Sequence, residues 1–271
     1  MTGPIFDTHA HYSSRAFDAD RIALLDSLPD KGVVGVCEQA THSGDAPRVL
    51  ELAHRYPWVV AAIGIHPESL LPAADCGEEG PAPTVSVYGG DWAAEMRALM
   101  PYYNDPKVVA VGECGLDYHW PIPKEEQQAL FEAEIRCALE LEKPIIVHDR
   151  EAHADVYSLL KRYAPKGVLH CYSGSADDAA WLARQGMYIG FGGTLTFKNA
   201  RKTREAAAAL PMEAIVLETD CPYMAPEPHR GQRNDSSLII HVAEVLGQVK
   251  GLPVQEVLRI TNENAKRLFG I

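Results

Sequence analysis

The sequence predicts an α/β protein built as a single (β/α)8 barrel of the TIM type over residues 1–271. Eight short runs rich in β-branched residues alternate with longer amphipathic segments, a pattern typical of a parallel sheet covered on both faces. Eight such units in 271 residues match the usual size of this barrel. An open, doubly wound sheet is the alternative. No break in composition indicates a second domain.

The predicted strands are, in order, PIFDTHAH, GVVGVCEQ, WVVAAIGIHP, VVAVGECGLDY, PIIVHDR, GVLHCYSG, MYIGFGGT and AIVLETDCP. After the fourth strand, PKEEQQALFEAEIRCALELEK places Leu130, Ile135 and Leu139 near helical spacing, which predicts an amphipathic helix. The Pro- and Gly-rich stretch 71–90 predicts a long surface loop after the third strand. The GFGG run at 190–193 lacks the spacing of a phosphate-binding loop and predicts a turn with close packing.

Charge and composition narrow the classes of function. The formal net charge of −12 argues against a long basic surface that tracks many phosphates, although a local cationic site is compatible with it. Apolar runs stay below the ~18 residues needed to span a bilayer, and the N-terminus lacks the pattern of a secretion signal. Six cysteines without C-x-x-C spacing indicate reduced thiols. We therefore expect a cytoplasmic protein with no membrane partner.

Polar residues stand at the ends of six apolar strands. In the first strand, His9 and His11 are two positions apart, so alternation turns both imidazoles to one side. The full set is His9, His11, His66, Glu113, His148, His170 and Asp220. Any one of these could be a structural residue, but six strand ends would each need a separate explanation. In a barrel the carboxyl ends of all strands meet at one mouth, which predicts a metal site there.

The ligand types indicate which ions fit. Imidazole and carboxylate groups suit Zn, Mn, Co or Ni, and Mg fits where water completes its shell. Because the set exceeds what one ion needs, the sequence predicts two divalent ions that share Glu113. Such ions lower the pKa of bound water and polarise a phosphoryl or carbonyl oxygen. Asp220 can accept a hydrogen bond from that water and is the predicted general base, so Glu113 and Asp220 are the predicted catalytic residues.

Seven motifs carry a resemblance to a known family. In chain order they are DTHAH, GIHP, GECGLDY, IIVHDR, LHCYSG, TFKN and LETDCPY, and together they resemble the TatD-related metal-dependent hydrolases of the amidohydrolase superfamily. The resemblance spans nearly the whole chain, and Glu113 stands where related amidohydrolases often carry Lys. It implies that His9, His11 and Asp220 hold one ion, that His148 and His170 hold the other, that Glu113 bridges them, and that His66 contacts the substrate.

The resemblance also implies a substrate class. The family includes metal-dependent deoxyribonucleases that trim DNA from its 3′ end, and some relatives are implicated in removing D-amino acids from tRNA. A DNA end or an aminoacyl-tRNA is therefore the expected nucleic acid partner. A metallohydrolase acting on a small ester, lactone or amide is the alternative, since a fold does not fix the substrate. A structural metal site in an interaction module is disfavoured, because six ligands on two ions leave positions open.

One departure from the family pattern concerns substrate binding. Relatives tend to follow strand eight with Arg-Gly-Lys-x-Asn-Glu-Pro, whereas RGQRNDS here gives Gln232, Asp235 and Ser236 at the Lys, Glu and Pro positions. The predicted phosphate donors are the residues that this loop keeps and one lysine from TFKN. They are Arg230, Arg233, Asn234 and Lys198.

Overall fold

A computed structural model describes residues 3–71 and 88–271. Its strands are β1 (Ile5–Ala10), β2 (Val33–Gln39), β3 (Val59–Ile63), β4 (Val108–Asp117), β5 (Ile145–Arg150), β6 (Gly167–Leu169), β7 (Met187–Phe191) and β8 (Ile215–Leu217). They follow one another in chain order through one eight-stranded sheet. The segment after β8 pairs with the end of β1 through a parallel bridge between Ala10 and Cys221. This order confirms the (β/α)8 barrel and not the doubly wound alternative.

Helices separate the strands as predicted. They are α1 (Arg21–Ser27), α2 (Ala46–Arg55), α3 (Trp92–Leu99), α4 (Lys124–Glu140), α5 (His153–Tyr163), α6 (Ala176–Arg184), α7 (Arg201–Ala209), α8 (Ile239–Lys250) and α9 (Val254–Phe269). Among the described residues no single helix is long and apolar enough to cross a membrane. One bent pair of helical segments, Ser236–Lys250 and Val254–Phe269, has the length and composition of a membrane span, and only those two properties indicate one.

The chain divides into two compact units, which are described separately. The first consists of Met1–Tyr12, Ala16–Cys37 and Val168–Ile271, and the second of Ser13–Arg15 and Glu38–Gly167. The single domain over residues 1–271 stays a prediction.

In the first unit, α8 and α9 pack on β1, and α9 also packs on β8. Phe6 of β1 meets Phe269 of α9 with ring centroids 5.9 Å apart. The glycines after β7 are packed as the sequence predicted, because a Cβ on Gly193 would collide with the main-chain carbonyl oxygen of Met224. The first unit therefore has an apolar core between these helices and strands.

In the second unit, β4 is buried along all ten residues between β3 and β5. Its register with β5 places Gly115 opposite His148 and Asp117 opposite Arg150. Helix α4 covers this part of the sheet with Leu130 and Ile135 buried, but Leu139 is 44% exposed because it lies off the buried face. The predicted surface loop 71–90 lies, for residues 72–87, outside the described residues.

Several strands are shorter than the sequence predicted. Strands β1, β3, β6 and β8 end before the site residues predicted at their ends, which therefore lie on the segments that follow the strands: His11, His66, His170 and Asp220. Cys171 and Asp220 have φ of 46° and 58°, so strand alternation does not govern their directions. Cys171 is half-buried, whereas Cys114, inside β4, is buried. None of the five cysteines in the described ranges forms a disulfide.

Candidate metal centre

The first unit brings together His9, His11 and Asp220, a group that we call the histidine–aspartate cluster. The two imidazole Nε2 atoms are 3.1 Å apart, and Asp220 Oδ1 lies 3.3 Å from His11 Nε2 and 3.7 Å from His9 Nε2. Ligands bound ~2.0–2.2 Å from one ion are separated by about 3–3.7 Å. The cluster therefore has the spacing of three ligands around a single divalent cation.

A stacked imidazole and a buried carboxyl group lie next to this cluster. The His170 ring stacks on the His9 ring with centroids 3.9 Å apart and an interplanar angle of 7°. Glu218 lies 3.8 Å from His170 Nδ1 and accepts a hydrogen bond from the main-chain N–H of Cys171. Burial raises the pKa of Glu218 to about 8, against the lowering effect of His170 and that hydrogen bond. Within the first unit, His170 thus contacts the His9 ring and lies close to the Glu218 carboxyl group.

A second buried carboxylate fixes the backbone around His9. Asp7 accepts hydrogen bonds from the Thr219 hydroxyl at 2.6 Å, the Ser236 hydroxyl at 2.7 Å and the main-chain N–H of His9 at 3.2 Å. Burial raises the pKa of Asp7 to about 6, and these hydrogen bonds oppose the rise. Ser236, which stands at the Pro position of the family pattern, also hydrogen-bonds the Tyr12 hydroxyl at 2.7 Å. The serine therefore joins a network that a proline could not enter.

Asn234 holds the loop that carries Asp220. Its side-chain amide donates to the carbonyl oxygens of Thr219 at 3.0 Å and Tyr223 at 2.8 Å, and the residue is fully buried. The main-chain N–H of Asp220 donates to the carbonyl oxygen of His9 at 2.9 Å. Burial by itself would raise the pKa of Asp220, but the hydrogen bond from His11 and the neighbouring imidazoles outweigh burial and lower it. The carboxylate is therefore ionised and available to a cation.

The second unit brings together His66, Glu113 and His148, which we call the histidine–glutamate cluster. Glu113 Oε1 lies 3.0 Å from His148 Nδ1 and 3.7 Å from His66 Nε2. The two rings meet edge to face with centroids 4.4 Å apart. The family resemblance implies a substrate contact for His66, which stays a prediction, and a ligand atom of His66 lies within 4.8 Å of those of Glu113 and His148.

Asp117 orients His148 from the other side. Its Oδ2 lies 3.2 Å from His148 Nε2, and Gln127 holds its backbone by a pair of hydrogen bonds of 2.8 and 3.0 Å. Burial would raise the pKa of Asp117, but its hydrogen bond and charge interaction with His148 lower it. Burial by itself would lower the pKa of His148, and the carboxylates of Asp117 and Glu113 raise it to about 10. Ligating histidines typically donate their second N–H to a carboxylate in this way.

The loop that carries His66 is also held by a buried acid. Glu134 of α4 accepts a hydrogen bond from the main-chain N–H of Ile65 at 2.8 Å. Burial raises the pKa of Glu134 well above its usual range, so a neutral carboxyl group is favoured there. His66 itself accepts a hydrogen bond at Nδ1 from the main-chain N–H of Glu68 at 3.2 Å, which leaves Nε2 directed at Glu113.

Both clusters fit divalent cations by donor chemistry. Each offers two imidazole nitrogens and one carboxylate oxygen, the donor set that suits Zn or Mn. Three of these six side chains, those of His9, His66 and Glu113, are buried, and buried ionisable groups this close together require charge compensation. The identity and number of the ions stay predictions.

The four predicted phosphate donors lie in different environments. Arg233 binds both carboxylate oxygens of Asp20 at 2.8 and 2.6 Å, and the guanidinium of Arg230 lies 4.3 Å from the centroid of the Phe197 ring. Lys198 is exposed, and Asn234 is buried with its amide donors on carbonyl oxygens. Their roles toward a substrate stay predictions.

Three carboxyl groups that contact the candidate ligands or their backbone were not predicted from the sequence. Asp7 is two residues before His9, Asp117 is four residues after Glu113, and Glu218 is two residues before Asp220. Even spacing along a strand places residues on one side of it, so the period of two could have identified Asp7 and Asp117. Glu218 follows the last residue of β8, where alternation is a weaker guide.

Known proteins share this architecture and length. The family profile described as "TatD related DNase" matches residues 6–270. The chain is 37% identical to the uncharacterized metal-dependent hydrolase YabD of Bacillus subtilis, covering 98% of this chain and 99% of that protein. It is 30% identical to the 3′-5′ ssDNA/RNA exonuclease TatD of Erwinia tasmaniensis, covering 98% and 100%. The chain also aligns with the crystal structure of YjjV, a TatD homologue from Escherichia coli, over 100% of both chains, with a TM-score of 0.85 and 31% sequence identity.

Proposed function

Because the chain belongs to the TatD-related DNase family and is a metal-dependent hydrolase, we propose that it trims single-stranded DNA from the 3′ end. The observation that carries the proposal is the pair of clusters, each with three ligand atoms lying within 4.8 Å of one another. The naming of relatives at about 30% identity as 3′-5′ ssDNA/RNA exonucleases supports a nucleic acid substrate. The predicted cytoplasmic location goes with this substrate and stays a prediction.

The proposed roles follow from the contacts within each unit. His9, His11 and Asp220 would hold one divalent ion, and Glu113 and His148 would hold another, to which the family resemblance also assigns His170. When bound, such ions supply an activated water and polarise the phosphoryl oxygen. Asp220, which is ionised, accepts a proton from the attacking water, and Asp117 keeps the His148 ring in place. The sharing of Glu113 between two ions remains part of the proposal.

His66 has two possible roles that metal analysis can separate. Its Nε2 lies 3.7 Å from Glu113 Oε1, which favours a ligand, whereas the family resemblance implies a substrate contact. If His66→Ala lowers the amount of bound metal, His66 is a ligand. If the variant keeps its metal and raises KM, His66 contacts the substrate.

A labelled oligonucleotide tests the function. With Mg or Mn present, a 5′-labelled single strand should yield a ladder of progressively shorter products, and a circular single strand should survive. Asp220→Asn is the inactive control. Rapid cutting of the circle would reject trimming from an end and keep the nuclease.

The alternative substrate class is tested in the same panel. Fast hydrolysis of a carboxylic ester or an aminoacyl-tRNA, with no cutting of either DNA, would assign the protein to the ester and amide hydrolases. This class stays open because the relative with 37% identity is named only as an uncharacterized metal-dependent hydrolase.

A further inference from the structure

We propose that Arg150 binds a phosphate of the substrate beside the histidine–glutamate cluster. The inference deepens the proposed function and rests on it for the identity of the substrate. Arg150 is not among the four phosphate donors predicted from the sequence. The pairing of β4 with β5 shows which residues it lies beside.

Arg150 lies next to the cluster through strand geometry. It is two residues after His148 on β5, so both side chains leave the strand on the same side. The register pairs Arg150 with Asp117 of β4. Arg150 Nη1 lies 3.9 Å from Asp117 Oδ2, the oxygen that is 3.2 Å from His148 Nε2. The guanidinium therefore lies one carboxylate away from a predicted metal ligand.

The donors of Arg150 have no hydrogen-bond acceptor among the residues that the structure describes. Within the described ranges, its guanidinium makes no hydrogen bond, and its side chain is 47% exposed. Other arginines differ: Arg204 donates to three carbonyl oxygens, and Arg233 donates to Asp20 and to the Ala16 carbonyl oxygen. A guanidinium has five N–H donors in a planar fork that matches phosphate.

Neutralising Asp117 does not account for Arg150. Asp117 already has a partner on each oxygen, because Oδ2 faces His148 Nε2 and Oδ1 accepts from the main-chain N–H of His119 at 3.0 Å. A separation of 3.9 Å from Arg150 is too long for a further hydrogen bond. Asp117 and Glu68 thus attract the guanidinium by charge, and the fork is left to a ligand that brings its own oxygens.

Four proteins test the proposal: the wild type, Arg150→Gln, Arg150→Lys and the control Arg97→Gln. Arg97 is an exposed arginine of α3, so its loss changes the net charge equally. Each protein is loaded with Mn, its metal content is measured, and its affinity for inorganic phosphate is determined by calorimetry. Hydrolysis of bis(p-nitrophenyl) phosphate and of p-nitrophenyl acetate is then compared.

We expect Arg150→Gln to weaken phosphate binding and to raise KM for the phosphodiester by about tenfold or more, as for the loss of a charge-assisted hydrogen bond. Metal content and hydrolysis of the neutral acetate should stay at the wild-type level, Arg150→Lys should recover part of the loss, and Arg97→Gln should behave as wild type.

Two results would overturn the proposal. One is unchanged phosphate affinity in Arg150→Gln, or no phosphate binding by the wild type. The other is an equal loss on both substrates together with lost metal, which would show that Arg150 only balances the charge of the cluster. Failure of the proposed function is distinguishable, because a wild type that hydrolyses the acetate and not the phosphodiester leaves the phosphate calorimetry informative.

Discussion

The histidine–aspartate and histidine–glutamate clusters reach the same donor set by different structural means. In the second, Glu113 and His148 lie inside β4 and β5, so the sheet fixes their backbones and only the side chains need orientation. In the first, Asp220 lies on a loop with a φ of 58°, and hydrogen bonds from outside the strand must hold its backbone. Ligands on strands thus depend on neighbouring side chains, and ligands on loops depend on main-chain anchors.

The largest effect is expected from the carboxylate of the histidine–glutamate cluster. Glu113→Ala should remove more metal than any other single ligand change, because Glu113 Oε1 is the atom that both His66 and His148 face, and the sequence predicts that it serves two ions that would otherwise repel. His148→Ala should mostly empty one position. Elemental analysis by mass spectrometry measures both. Wild-type occupancy in Glu113→Ala would refute the shared carboxylate.

The next effect concerns the side-chain support of a ligand on a strand. Asp117→Asn should weaken metal binding by about 10–100-fold, because an amide cannot stabilise His148 as a carboxylate does. Asp149→Asn is the matched control, since Asp149 pairs with His153 at 2.6 Å. Competition with a metal chelator gives the affinities. An equal loss in both variants would show that the effect is general destabilisation.

Because Asn234 holds the loop that carries Asp220, its loss should affect both the stability of the protein and metal binding. Asn234→Ala leaves the carbonyl oxygens of Thr219 and Tyr223 without their donor, which should lower the free energy of unfolding by about 1–3 kcal/mol. It should also weaken metal binding, because the same loop carries Asp220. Urea unfolding and chelator competition measure the two effects. Asn104→Ala, at an exposed position with a 3.4 Å contact to Pro101, is the control. If Asn234→Ala is destabilised but keeps the metal affinity of the wild type, Asn234 does not position Asp220 for metal binding.

The strands and the candidate ligand residues could be predicted from the sequence because both depend on local patterns, and the role of those residues as metal ligands stays a prediction. His9 and His11 follow from alternation along one strand, and the eight apolar runs recur at regular intervals. The positive φ of Asp220 and the early end of β8 could not be predicted, because a three-residue strand carries little periodicity.

The contacts of the predicted phosphate donors could not be predicted from the sequence for another reason. The hydrogen bonds of Asn234 reach back 15 and 11 residues, and the pair between Asp20 and Arg233 joins residues 213 positions apart. Contacts of this range depend on how the chain folds and not on local composition. The sequence therefore identified which side chains could donate to a phosphate, but not which of them the protein already uses.

The smallest effect is expected from Arg233, whose guanidinium is bound to Asp20 at the surface. A single-stranded substrate held by two or three phosphate contacts should show a slope of log affinity against log salt of roughly −1.4 to −2.1. Arg233→Ala should flatten that slope by less than one unit and leave the metal content unchanged, because a guanidinium positions phosphate without ligating metal. Fluorescence anisotropy of a labelled oligonucleotide measures the slope.

Asp20→Asn gives the matched change, since it removes the carboxylate that pairs with Arg233 without removing the guanidinium or its hydrogen bond to the Ala16 carbonyl oxygen. If Arg233 reaches a phosphate, Asp20→Asn should tighten the binding of DNA while Arg233→Ala weakens it. Binding that stays the same in both variants would show that Arg233 serves only its contact with Asp20, and it would leave phosphate recognition to other cations such as Arg150.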